Sequence, residues 1–285
     1  MSEHNLFERW RLELAERDLD PKTRERYWTV AVAFQRWLAD HEPSPAEAKT
    51  FLAHLRSKGY AQRSVLLYYH ALRLMLDYCG IPLRLKIRKP KTLPRYWSAE
   101  DVERLIRQAA GGLSHHGEAI RVRNVALVMV MAYAGLRREE VIHLRVQDVD
   151  FTQRLLFVRG GKGDKDRAIP LADRLVPALR GQCNGKSGRD RVFPLAERTV
   201  YNTVTKLARA AGLNGLHPHS LRHAFGTRLA ERRAPIRAIQ ELMGHASIET
   251  TCVYLEITAG HLRDAVALLD SAVPPAAPMT AAIAG

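Results

Sequence analysis

The sequence predicts a mainly α protein in two parts, an N-terminal helical bundle and a larger α+β domain carrying a small antiparallel sheet. Three observations predict it. The first eighty residues fall into four segments of helical periodicity, each with a start or stop signal. A stretch crowded with basic residues and prolines follows over 83–95. Beyond it the helical segments resume, interrupted by two β-rich runs that meet at a glycine turn.

In the first part, apolar residues recur at helical spacing over 6–16. Asp20-Pro21 is an N-cap followed by proline at the first helical position, and it opens a helix to about 39. Tyr27, Val30, Ala31, Phe34 and Leu38 form one buried stripe along it. Ser44-Pro45 repeats the start signal, and Gly59 ends that helix. A fourth helix, over 64–78, stops at Gly80 and Pro82. Four helices with one apolar face each make a small bundle over 1–82. The stretch 83–95 shows no period, carries Arg84, Lys86, Arg88, Lys89, Lys91 and Arg95, and reads as an extended basic linker.

In the second part, over 96–271, Ser98 with Asp101 is a capping signature for a helix to about 110. Residues 118–134 are apolar nearly all round, which predicts the buried spine of this domain, and Gly135 ends it. A short helix over 138–144 follows. Residues 149–158 and 167–169 have strand character and are joined through Gly160-Gly161-Lys162-Gly163-Asp164. Helices are predicted over 172–179, 199–211, 218–231, 235–243, 247–255 and 261–269, and the small residues and prolines of 272–285 predict a mobile tail.

The 285-residue chain is 46% hydrophobic, enough for a sizeable core, and its formal net charge of +14 steers it toward polyanions, chiefly nucleic acid. Membrane readings fare badly. The most apolar run, 125–136, is far short of the ~20 residues of a spanning helix, and the N-terminus is charged from Glu3 onward without a signal-peptide stretch. Cys79, Cys183 and Cys252 are odd in number and scattered, which suits a reducing cytoplasm. Two look-alike motifs fail. Gly181 to Gly185-Lys186-Ser187 has three residues between its glycines where a P-loop needs four, and no strand precedes it. His219 and His223 have the spacing of a zinc helix, but Ser220 stands where the catalytic glutamate would be.

Breaking a phosphodiester requires a nucleophile, donors for a phosphorane of added negative charge, and an acid for the leaving oxygen. Arginine suits the second role, because its planar fork donates twice to one phosphate. Arg137 follows Gly135-Leu136 at a helix boundary. His219 and Arg222 lie three apart on one helical face. Leu242-Met243-Gly244-His245 is followed nine residues later by Tyr254. Taken singly, each is more simply a surface charge, a satisfied histidine or a core aromatic.

Taken together, Gly135-Leu136-Arg137, His219-x-x-Arg222, Gly244-His245 and Tyr254 resemble the active-site signature of the tyrosine recombinase, or lambda-integrase, family, and Lys162 matches that family's catalytic lysine. The order and spacing of all the patches fit, and in length and plainness the chain is most like the Xer-type members. The resemblance implies that Tyr254 attacks phosphorus to give a 3′-phosphotyrosine and a free 5′-hydroxyl. Arg137 and Arg222 would clamp the non-bridging oxygens, His219 would bond the phosphate and assist proton transfer, and His245 would hold the scissile phosphate. Lys162 would protonate the leaving oxygen, and Glu140, on the face of Arg137, would orient it. Because the phosphotyrosine stores the energy of the broken bond, neither metal nor other cofactor is implied.

The resemblance further implies a C-shaped clamp around double-stranded DNA, with the linker, including Arg88, Lys89 and Lys91, crossing the backbone. Thr23, Arg24, Arg63, Ser64 and Tyr68, at helix starts or on polar faces, are candidate DNA contacts, while Lys165 and Arg167 flank the glycine turn and either contact DNA phosphate or are simply solvated. A homo- or hetero-tetramer on paired sites is implied, with the 261–269 helix docking into a neighbour. Leu255-Glu256-Ile257 after the nucleophile departs from the polar stretch often found there. Two other readings stand beside this one, a type IB topoisomerase-like DNA-relaxing enzyme and a catalytically idle DNA-binding factor on the same fold.

Overall fold

A computed structural model describes residues 3–88, 95–113, 117–160, 166–245 and 251. The chain divides into two compact units, Met1–Thr92 and Leu93–Gly285, each with a core of its own.

The first unit is built from α1 (Glu3–Glu16), α2 (Pro21–Leu38), α3 (Pro45–Ser57) and α4 (Gln62–Tyr78). Local chemistry sets their starts. Asp20 accepts from the backbone N–H groups of Lys22 and Thr23 at 2.9 and 3.3 Å, and Ser44 accepts from that of Glu47 at 3.1 Å. The predicted α2 stripe is buried at Val30, Ala31, Phe34 and Leu38, with Tyr27 half-buried at its edge. Trp10, Phe34, Leu52, Leu72, Met75 and Leu76 are fully buried between the helices.

The unit continues past α4, and here the structure differs from the reading of 83–95 as aperiodic. Residues 81–88 are extended against the bundle with a strand-like alternation. Leu83 is buried and Leu85 and Ile87 half-buried, while Arg84, Lys86 and Arg88 are exposed. The N–H of Leu85 donates to the Tyr69 hydroxyl at 3.4 Å, and Gln62 Nε2 donates to the Arg88 carbonyl at 3.2 Å. Residues 89–94 lie outside the described residues.

The second unit is organised around α6 (Glu118–Tyr133), in which Ala126 to Ala132 are all buried. Its main packing partners are α5 (Ala99–Gly111), α8 (Leu175–Cys183) and α10 (Pro218–Glu231). The capping box of α5 is closed on both sides, Ser98 with Asp101, at 3.1 Å each. After α6 come α7 (Arg138–His143) and a 3-10 turn, Val146–Asp148. The antiparallel sheet, in order β1-β2-β3, consists of β1 (Val149–Asp150), β2 (Leu155–Val158) and β3 (Arg167–Pro170). Val149 pairs with Leu156, and Val158 pairs with Arg167.

The single predicted run 149–158 is thus a tight hairpin. The Asp150 carboxylate accepts from the N–H groups of Thr152 and Gln153 at 2.8 Å each, and Arg154 takes a φ of 54°, so the chain reverses without a glycine or proline. α9 (Glu197–Ala210) packs on α5 and α7, and α11 (Ile236–Met243) packs on α10 and β3. Helix α8 sits later than predicted, at 175–183, and the Gly181–Ser187 stretch ends it. There Lys186 Nζ donates to the Val192 carbonyl at 2.6 Å. No helix among the described residues is long and apolar enough to cross a membrane. Of the helices expected over 247–255 and 261–269, only Thr251, in a helical turn, lies within the described residues.

Candidate active site

The site begins where α6 stops. Gly135 has a φ of +63°, and a Cβ there would run into the ring of Phe225, so only glycine turns the chain at this point. Two residues on, Arg137 is the N-cap of α7. Its backbone N–H donates to Glu140 Oε2 and its Nη1 to Glu140 Oε1, both at 2.7 Å. One carboxylate therefore caps the helix and holds the guanidinium. The opposite nitrogen, Nη2, donates to the Gly244 carbonyl at 2.7 Å.

Arg222 projects from the second turn of α10 and is 2% exposed. Its Nη1 donates to the Gly135 carbonyl at 2.6 Å, its Nη2 donates to the Met243 carbonyl, and the guanidinium lies 4.0 Å from Glu140. Arg167 enters from β3, and its Nη1 and Nη2 donate to the two oxygens of Glu140 at 2.9 and 2.8 Å. Its Nε donates to the Leu242 carbonyl at 3.0 Å. Arginines 167, 222 and 137 thus take the consecutive carbonyls of Leu242, Met243 and Gly244. These are end-of-helix acceptors without intrahelical partners, at the negative pole of the α11 dipole. Gly244, at a φ of +57°, ends α11 in a left-handed turn and aims His245 back toward the cluster.

Burial alone would raise the Glu140 carboxyl. The hydrogen bonds and charge of Arg167, together with the N–H and charge of Arg137, outweigh it and hold the group at about 2. The histidines move the other way. Burial, then the cations Arg222 and Arg137, hold His245 at about 4, so it is neutral at physiological pH, with Nδ1 2.9 Å from the Thr251 hydroxyl. Enclosure in the cleft, then Arg222, His217 and Arg137, lower His219, whose edge is open to solvent. His223, half-buried with its ring edge-on to His219 at 4.4 Å, is held at about 4 by burial first and His219 next.

Arg137, His219 and Arg222 line one side of an open cleft of about 370 Å³. The cleft wall also includes Tyr201, stacked on His217 at 6.4 Å, and Arg138, which is paired with Glu197. Sequence reasoning missed this wall. Glu197 and Tyr201 lie four apart on α9 and Arg138 opens α7, and that spacing by itself points to no chemistry.

Of the residues singled out in the sequence, Arg137, Glu140, His219, Arg222 and His245 are brought together. Lys162 and Tyr254 lie outside the described residues, as do Lys89, Lys91 and Lys165. Arg167 departs from its expected place among the DNA contacts. Its side chain is 9% exposed and all three of its nitrogens are engaged inward, because the Glu140 carboxylate draws it into the unit. In the first unit, Arg63 is exposed, while Thr23, Ser64 and Tyr68 are half-buried. Arg24 donates to the Ala15 carbonyl at 2.7 Å, tying α2 to the end of α1.

The arrangement can meet an anion with two fixed guanidiniums and the imidazoles beside them. Comparison with known proteins agrees. The model of the phage integrase family matches residues 95–261. Tyrosine recombinase XerA of Pyrococcus furiosus is 36% identical over 240 residues, 79% of this chain and 81% of that protein. Tyrosine recombinase XerD of Pseudomonas putida is 33% identical over 276 residues, 87% and 91% of the two chains. Among solved structures, XerH site-specific recombinase bound to palindromic difH substrate, a post-cleavage complex, superimposes with a TM-score of 0.71 at 20% identity, covering 87% of this chain and 80% of that one.

Proposed function

The chain belongs to the phage integrase family and is a tyrosine-type site-specific recombinase, and we propose that it cuts and rejoins double-stranded DNA through a 3′-phosphotyrosine at Tyr254. The observation that carries this reading is the convergence of Arg137 and Arg222 on one cleft, each fixed from behind by Glu140 or backbone carbonyls, with His219 and His245 beside them.

The Tyr254 oxygen attacks phosphorus and the bond from phosphorus to the 5′-oxygen breaks. The proton lost by the tyrosine passes to the His219 imidazole, which stands beside the two arginines on the cleft. Charge growing on the non-bridging oxygens is met by the two guanidiniums, which are pre-oriented and need no reorganisation. Lys162 gives its proton to the leaving 5′-oxygen. In the second step, the 5′-hydroxyl of a partner strand returns a proton to Lys162 as it attacks the phosphotyrosine, and the tyrosine leaves with the proton held by the imidazole, so the number of phosphodiester bonds is conserved.

The exposed Arg84, Lys86 and Arg88 and the exposed Arg63 support phosphate contacts from the first unit. Exchange of strands between two sites requires a tetramer, for which residues 261–269 supply the docking segment in trans. The enzyme acts in the cytoplasm, where its DNA is.

Covalent trapping tests the reading. The purified protein is mixed with a pool of nicked DNA fragments and denatured, and DNA-linked protein is scored beside Tyr254→Phe. A band that is absent in Tyr254→Phe is the expected result. Tight binding without any band would sink the reading in favour of an idle DNA-binding factor, and a supercoiled plasmid carrying the trapped sequence that is relaxed without strand exchange would favour a topoisomerase.

A further inference from the structure

A carboxylate in direct contact with a phosphate-binding arginine poses a charge problem. Glu140 sits 2.7 Å from Arg137 and 4.0 Å from Arg222. Left alone with them it would compete with the DNA phosphate for both, and two guanidiniums less one carboxylate leave a single net positive charge for a phosphorane carrying nearly two negative ones. The third arginine of the cluster changes this.

Arg167 grips both Glu140 oxygens in a fork and is anchored by the Leu242 carbonyl, so all three of its guanidinium nitrogens are committed within the unit. The space around it is tight. A Cβ on Gly244 would stand 3.1 Å from its Nη1, so glycine at the end of α11 leaves room for this guanidinium.

We propose that Arg167 is a positioning residue for strand transfer, taking up the charge of Glu140 so that Arg137 and Arg222 keep their positive charge for the DNA phosphate. The inference rests on the recombinase reading above. It assigns Glu140 a double task, aligning Arg137 while its own charge is absorbed from the far side. The strongly depressed carboxyl of Glu140, to which Arg167 is the main lowering contributor, is in keeping with that grip.

The test is a double-mutant cycle on a nicked DNA whose sequence comes from the adducts trapped by the wild type. Single-turnover adduct formation and DNA affinity over a salt range are measured for wild type, Arg167→Met, Glu140→Gln and the double variant. Arg167→Met is expected to form adduct at least about tenfold more slowly, as befits weakened transition-state stabilisation, with the salt slope of DNA binding unchanged. In the Glu140→Gln background, where no charge needs absorbing, the same change is expected to slow the reaction by less than about threefold. The paired replacement also serves should Arg167→Met fail to fold.

An equal penalty in both backgrounds would reduce Arg167 to a packing role and overturn the proposal. So would a fall of about one in the salt slope, the mark of a direct phosphate contact. Wild-type adduct formed equally fast by Arg167→Met sinks this inference alone. A wild type that forms no adduct removes the recombinase reading and this inference with it.

Discussion

In the first unit the basic side chains of residues 81–88 stand outward, with Arg84, Lys86 and Arg88 exposed above buried Leu83, whereas in the second unit Arg222, Arg228 and Arg167 are drawn inside, at 2%, 7% and 9% exposure. The outward set needs only water and carries no structural duty. The inward set must find partners, because an unpaired buried charge is costly. It finds them mostly in main-chain carbonyls. Arg222 takes Gly135 and Met243, Arg228 takes Ala132 while lying over the Tyr133 ring at 4.6 Å, and Arg167 takes Leu242. Basic side chains thus stand free in water in one unit and serve as internal scaffolding in the other. Removing it should have different consequences in each.

The largest effect is expected for Arg222→Ala. Loss of a fixed donor slows covalent adduct formation by about 10²- to 10³-fold. Two buried carbonyls also lose their partner, at about 1–3 kcal/mol each, so the urea midpoint of the purified variant should fall together with activity. A variant that loses activity with an unchanged midpoint would break the comparison, because Arg222 would then be no scaffold.

A smaller effect lies in pH. His223 and His245 are held near 4 in the folded chain against 6.5 when unperturbed, so the unfolded chain takes up protons first as pH falls. Their contribution to stability is complete above about pH 6.5 and is lost progressively down to about 4. Glu140, depressed to about 2, adds its loss only below the ordinary carboxylate range. Urea midpoints measured from pH 4 to 8 should therefore decline toward acid, and His245→Asn should flatten part of the decline. A flat wild-type profile would count against the burial of these rings.

The smallest effect is expected for Arg84→Ala with Lys86→Ala. Stability should not move, whereas the slope of log affinity against log salt for duplex DNA should drop by about 2, near 0.9 per phosphate contact. An unchanged slope would leave the outward set as plain solvated charge.

How much of this could be read from the sequence follows from how local the cause is. The caps at Asp20, Ser44 and Ser98 were legible because donor and acceptor lie within a few residues of each other. The extent of α10, 218–231, was legible from its proline start and apolar run. The hairpin inside 149–158 was not, since an Asp150 side chain turning the backbone looks like any polar residue in a strand. The alternation in Leu83-Arg84-Leu85-Lys86-Ile87-Arg88 was there to read but was masked by the prolines and charge around it. At the site, Arg137, His219, Arg222 and His245 were legible as a spaced set, whereas the inward place of Arg167 was not. A buried arginine is spelled like a surface one, and the carbonyls it shares with Arg137 and Arg222 belong to the backbone, which has no letter of its own.

Those three carbonyls have a consequence for how the chain can vary in length. Each residue added to an α-helix advances it by about 1.5 Å and turns it by about 100°. One residue inserted or deleted within α11 would therefore present every one of its last carbonyls to the wrong arginine, or to none, and would swing His245 away with them. The end of α11 behaves as a three-pin key, so its register tolerates no slippage. The segment Ile236–Met243 should stay fixed in length among working homologues even where its side chains drift.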